Sequence, residues 1–82
     1  MRYSNQLLSE LNLLLHYNTS STMEGIKVHH TADESVIQAT RRLHDKGLVT
    51  QVDGGYLTTL GREAVEHAQA LLLILEKPVV QT

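Results

Sequence analysis

Apolar residues recur at helical spacing over residues 5–16. Leu7, Leu8, Leu11, Leu14 and Leu15 share one face at about 100° per residue, and Leu13 falls outside it. Ser4 precedes this run as an N-cap, so the pattern predicts a helix over 5–16. Asn18-Thr19-Ser20 reads as a loop. Ser21-Thr22-Met23-Glu24 then has the spacing of a capping box, in which serine and glutamate each satisfy a free backbone N–H. It predicts a short helix over 22–28. Gly25 inside it costs about 1 kcal/mol relative to alanine, and close approach of a neighbouring helix would account for it. A short strand over 25–29 competes for the same residues.

Thr31-Ala32-Asp33-Glu34 is a second capping box, with Asp33 as an alternative cap, and predicts a helix over 32–46. Val36, Thr40 and Leu43 form its inner stripe, with Ala32 and Ala39 at the edge. Ser35, Gln38, Arg41, Arg42, Asp45 and Lys46 point outward. Gly47 is the left-handed stop. Two β-prone runs, 48–52 and 56–58, flank Asp53-Gly54-Gly55. Asp53-Gly54 is expected to form a two-residue turn with both residues at positive φ. Gly55 leaves room for a three-residue variant with a bulge. A lone hairpin is marginal in water, so Leu48 and Leu57 should anchor it, Leu57 against the helix bearing Val36 and Leu43.

A last helix is predicted over 59–77, capped by Thr58 and ended by Pro78, with 78–82 as a tail. Leu60, Ala64, Ala68, Leu71 and Leu75 fall in one arc. Val65 and Leu72 widen it on one side and Ile74 on the other, and Leu73 is exposed. This arc exceeds the ~100° that a surface helix needs for its own core. The surplus predicts a two-fold dimer built on Leu71, Leu72, Ile74 and Leu75, with Leu13 or Tyr17 contributing.

The chain has 82 residues, enough for one domain, here residues 1–77, mostly α with one β-hairpin. It has no Cys, so neither disulfides nor thiolate metal sites can staple it. No run approaches the ~18 apolar residues of a membrane span, and no signal peptide is read. The expectation is a soluble, cytoplasmic protein. The formal charge of −2 argues against indiscriminate nucleic-acid binding, but residues 27–46 carry +1 and the rest −3. The positive segment also holds His29, His30 and His44.

Five histidines invite a metal reading, yet His29-His30 and the Glu63/His67 pair are two disconnected pairs, where zinc needs three or four ligands. No metal or cofactor is expected. No nucleophile with a base at motif spacing, no phosphate loop and no catalytic carboxylate pair is found, so no enzyme is expected.

The order helix, short helix, turn, helix, hairpin, helix resembles the winged helix-turn-helix domain of bacterial transcription regulators, with an added C-terminal helix. The resemblance rests on Val36, Thr40 and Leu43, then Lys46-Gly47-Leu48-Val49, then Gly55-Tyr56-Leu57-Thr58-Thr59-Leu60-Gly61-Arg62-Glu63-Ala64. The whole chain also resembles a small family of uncharacterised bacterial proteins suspected of binding DNA. The resemblance implies a small transcriptional regulator that binds double-stranded DNA as a homodimer, with the helix over 32–46 as reader and the hairpin as wing. Ser35 and Gln38 are then expected at base edges. Arg42 and Lys46 are expected near phosphates, joined by Arg41 if Asp45 does not hold it. Binding should weaken steeply with salt, and strengthen modestly toward pH 6 as the histidines charge. The wing tip, however, has no Lys or Arg and one acid, the reader begins with Asp33 and Glu34, and Thr40 sits where leucine is common. These features suit a rival reading, a winged-helix module for protein contact that does not bind DNA.

Overall fold

The computed structural model describes residues 2–17 and 25–77. It contains α1 (Asn5–Leu14), β1 (Ile26–Lys27), α2 (Glu34–Asp45), β2 (Val49–Gln51), β3 (Gly54–Leu57) and α3 (Thr59–Leu75). The strands form one antiparallel sheet in the order β1-β3-β2. This is a mostly helical, winged-helix-like layout with a hairpin between α2 and α3. Among the described residues no helix is long and apolar enough to cross a membrane.

Helix α1 starts where Ser4 Oγ accepts from Leu7 N at 3.1 Å. It lies chiefly against α2 and also touches α3. Its buried stripe is not the leucine-dense arc: Glu10 and Leu14 are buried, Leu13 packs on the core, and Leu7 and Leu8 are exposed. The helix is turned about its axis so that Glu10 faces α2.

The short helix expected over 22–28 is not formed in its described part. The capping box at 21–24 lies outside the described residues, and Ile26 and Lys27 pair with Gly55 and Gly54 as strand β1. Val28 N extends the pairing by donating to Asp53 O at 2.8 Å. Gly25 is close to β3, not to a helix: a Cβ there would lie 2.7 Å from Gly55 O. The strand reading prevails because β3 offers an edge whose hydrogen bonds a short helix could not replace.

Helix α2 begins at Asp33, whose side chain makes no cap hydrogen bond. The box expected from Thr31 does not open the helix: Ala32 N bonds His29 O in a preceding turn, and Glu34 instead holds Gln38. Ala39, Thr40 and Leu43 are buried. Thr40 is tolerated inside because its hydroxyl donates to Val36 O at 2.7 Å. The helix ends as expected at Gly47, φ 79°. Gly47 N bonds His44 O and Leu48 N bonds Leu43 O, the paired closure that satisfies the last carbonyls.

The hairpin differs from the expected turn. Val52 and Asp53 lie between the strands, and Asp53 is not at positive φ. Gly54 and Gly55 are, at 120° and 73°. The register runs from Gln51 opposite Gly54 to Val49 opposite Leu57, so β3 carries one extra residue. This is the bulged variant. The bulge leaves Tyr56 N without a ladder partner, and Thr50 Oγ1 accepts from it at 3.0 Å.

Thr58 joins three elements. Its hydroxyl donates to Gly47 O at 2.6 Å and accepts from Gly61 N at 3.0 Å, while its N–H reaches Leu48 O. The core is Leu14, Tyr17, Leu43, Val49 and Val65, with Leu13, Ile26, Leu48, Leu57 and Ala64 packed against it. Leu48 and Leu57 anchor the hairpin as expected. On α3 the buried residues are Gly61 and Val65, and Leu60, expected inward, is 53% exposed. From Leu71 to Leu75 every side chain is exposed, Leu73 and Leu75 at 72% each.

Candidate nucleic-acid interface

Helix α2 divides into three flanks outside its buried stripe. Glu34, Gln38, Arg41 and Asp45, spaced four, three and four residues apart, form the outermost arc, and all are exposed. Ser35, Gln38 and Arg42 face a shallow groove shared with Asn5, Gln6 and Ser9 of α1. Ile37, Thr40 and Arg41 face a second groove, shared with β1, the turn after it and the wing.

The five residues expected to read DNA are therefore not one surface. Ser35 is exposed near the start of α2. Gln38 Nε2 donates to Glu34 Oε1 at 2.7 Å. Arg41 carries no ion pair among the described residues, and the expected partner Asp45 lies instead 3.9 Å from His44 Nδ1. Arg42 Nε donates to Glu10 Oε2 at 3.1 Å, and its Nη2 reaches Gln6 O at 3.3 Å. Lys46 Nζ bonds the other carboxylate oxygen of Glu10. Glu10 is only 4% exposed, so a buried carboxylate is matched oxygen by oxygen with two cations one helical turn apart. Burial of a charge is tolerable only with such partners.

Sequence reading missed Glu10. The usable signal was a lone acid at the edge of a leucine stripe, in a chain whose cations Arg42 and Lys46 have the i, i+4 spacing that one carboxylate can bridge.

The second groove has a volume of about 430 Å³. Among the described residues, Lys27, His29, His30 and Arg41 line it with one acid, Asp53, and with the apolar side chains of Val28 and Ile37. Beside Asp53, the Tyr17 phenol is held above its ordinary pKa, first by burial and then by the Asp53 charge. Among the described residues no group of three or more His, Asp or Glu is arranged to hold a metal.

No curated protein and no solved structure matches the chain. Residues 1–76 match a family of unknown function (DUF5669), and the chain belongs to that family.

Proposed function

We propose that this protein is a small DNA-binding regulator of winged-helix type that acts as a homodimer. The observation that carries the reading is the exposed outer arc of α2, with Gln38 and unpaired Arg41 upon it, set beside the wing in a winged-helix-like layout. A major groove admits one α-helix. Gln38 can leave Glu34 cheaply, since an exposed pair at that spacing is worth about 0.2–0.5 kcal/mol, and its amide then suits an adenine edge. Arg41 suits a guanine edge or a phosphate. Ser35 stands at the start of the same helix. Arg42 and Lys46 are both held by Glu10, whose single charge offsets one of the two, so they contribute less to phosphate contacts than two free cations would.

This last point revises the expected salt response. With Arg41 and Lys27 unpaired among the described residues and one net positive charge left on the Glu10–Arg42–Lys46 group, about two to three phosphates are neutralised per protomer, giving a log–log slope of about −2 to −3 per protomer, shallower than four free cations would give. The test is retention on duplex DNA across a salt series. Arg41→Ala should lower affinity and flatten the slope by about one. Gln38→Ala should alter base preference more than affinity, and Glu66→Ala on α3 should change neither. Absence of binding by the parent protein at low salt and pH 6 would sink the reading.

One observation favours the rival, a winged-helix module for protein contact. Glu10 engages both Arg42 and Lys46 and offsets one of the two charges that the reader helix would otherwise present, and the wing tip carries Asp53. A parent protein that fails on DNA yet still self-associates through α3 would support that rival.

A further inference from the structure

We propose that the groove between α2 and the wing is a binding site for a phosphate group, and that the site tightens as its two histidines protonate. The inference deepens the DNA-binding reading, on which it rests only for the source of the phosphate. Two elements bring the basic groups together: β1 and the turn after it supply Lys27, His29 and His30, and α2 supplies Arg41. Among the described residues none of these four side chains makes a hydrogen bond or ion pair, whereas Arg42, next in sequence to Arg41, is held by Glu10 and by Gln6 O. Among the described residues the cluster therefore gathers two cations and two imidazoles that hold no partner.

The backbone that carries it is fixed. Lys27 pairs with Gly54, Val28 N donates to Asp53 O at 2.8 Å, and Ala32 N closes the turn onto His29 O at 2.9 Å. The groove is partly walled by Val28, Ile37 and Val52. Apolar walls exclude water and strengthen the field of the charges at the opening. At about 430 Å³ the groove has the size of a small-molecule site, so it takes a phosphate borne by a larger group, as in a nucleotide or a nucleic-acid backbone.

The charged groups lining it are Lys27, His29 and His30 from the β1 side, Arg41 from α2 and Asp53 from the wing. Asp33, Glu34, His44 and Asp45 of α2 do not line it. With both imidazoles neutral the described lining carries one net positive charge, and with both protonated it carries three. Arg41 offers two parallel N–H donors to phosphate oxygens, and each imidazolium adds a charge-assisted donor.

The experiment follows the imidazole resonances of His29 and His30 by NMR through a pH titration. The probes are inorganic phosphate, chloride at matched ionic strength, and a short DNA duplex. Phosphate should move both titrations to higher pH than chloride does. His16 and His67, outside the groove, should titrate identically with phosphate and chloride. Arg41→Ala, on an exposed position, should abolish the phosphate effect while leaving the folded spectrum intact. If phosphate and chloride act alike on His29 and His30, or if Arg41→Ala leaves the effect unchanged, the site is refuted. Equal shifts with the duplex identify a backbone phosphate as the ligand. Shifts with phosphate from a protein that the duplex never binds support the site with a free phosphate compound and end the DNA-binding reading. Duplex binding that leaves His29 and His30 untouched, with no response to phosphate, refutes the groove and leaves that reading standing.

Discussion

Glu10 is the residue whose role the chain hides best. It sits in a leucine-rich run, yet is buried with Arg42 and Lys46 on its two oxygens. Arg42→Ala should lower stability by about 1.5–3 kcal/mol, the range for a hydrogen bond to a charged group. The Arg42→Ala/Lys46→Ala double variant should cost more than the sum of the singles, because the second loss leaves a buried carboxylate alone. Glu10→Leu should be within about 1 kcal/mol of the parent or more stable, since apolar replacement removes the desolvation cost and both cations can reach water. Urea denaturation of the four variants measures this, and a Glu10→Leu loss as large as that of the double variant would contradict it. Tyr17 makes a second prediction at this scale. Its phenol pKa is raised in the folded protein, by burial first and Asp53 second. Below the unfolded value near pH 10 both states keep the proton and the contribution is fully present. Above it the unfolded chain ionises first, so stability falls until the folded phenol ionises too. Stability measured from pH 8 to 11 should decline for the parent, and Tyr17→Phe should show a shallower decline. Identical pH profiles would rule this out.

Among the elements, α3 shows how packing overrules propensity. Gly61 lies in its first turn, where alanine would favour the helix by about 1 kcal/mol. A methyl there would overlap Leu48 O, which is itself bonded to Thr58 N. Gly61→Ala should therefore destabilise by about 1–3 kcal/mol, the cost of overpacking a tight contact. Thermal denaturation decides it, and a raised midpoint would mean that the two elements separate freely. The glycine spacing after Tyr56-Leu57-Thr58 was visible in the chain, and its cause is this contact between α3 and the segment entering β2. The hairpin shows the reverse limit. Asp53-Gly54-Gly55 announced a turn, but the register was decided by β1, which occupies the free edge of β3 and holds Gly54 and Gly55 opposite Lys27 and Ile26.

At the scale of the whole molecule, the long axis of 49 Å is about twice the other two extents. Helix α3 is about 25 Å long at 1.5 Å per residue, and its described C-terminal half carries no buried side chain. Leu71, Leu72, Ile74 and Leu75 are exposed together there, as a dimer through that face requires, while Tyr17 is in the core and cannot contribute to it. Sedimentation at micromolar concentration should give a dimer, and Leu72→Glu/Leu75→Glu should give a folded monomer. A monomer mass for the parent would remove the dimer.

The sequence alone determined the local events. Ser4 and Thr58 cap their helices, Gly47 stops α2, Leu48 and Leu57 anchor the hairpin, and Thr40 and Leu43 face inward. Each depends on hydrogen bonds or spacing within a few residues, which a linear pattern records. Only the tertiary structure decided the rest: residues 26–27 as a strand, the rotation of α1, the bulge in β3, and the division of Arg41 from Arg42. These depend on partners distant in the chain. An edge strand adopts its form because another strand lies open beside it, and a cation is free or neutralised according to which carboxylate the packing of α1 on α2 brings within reach.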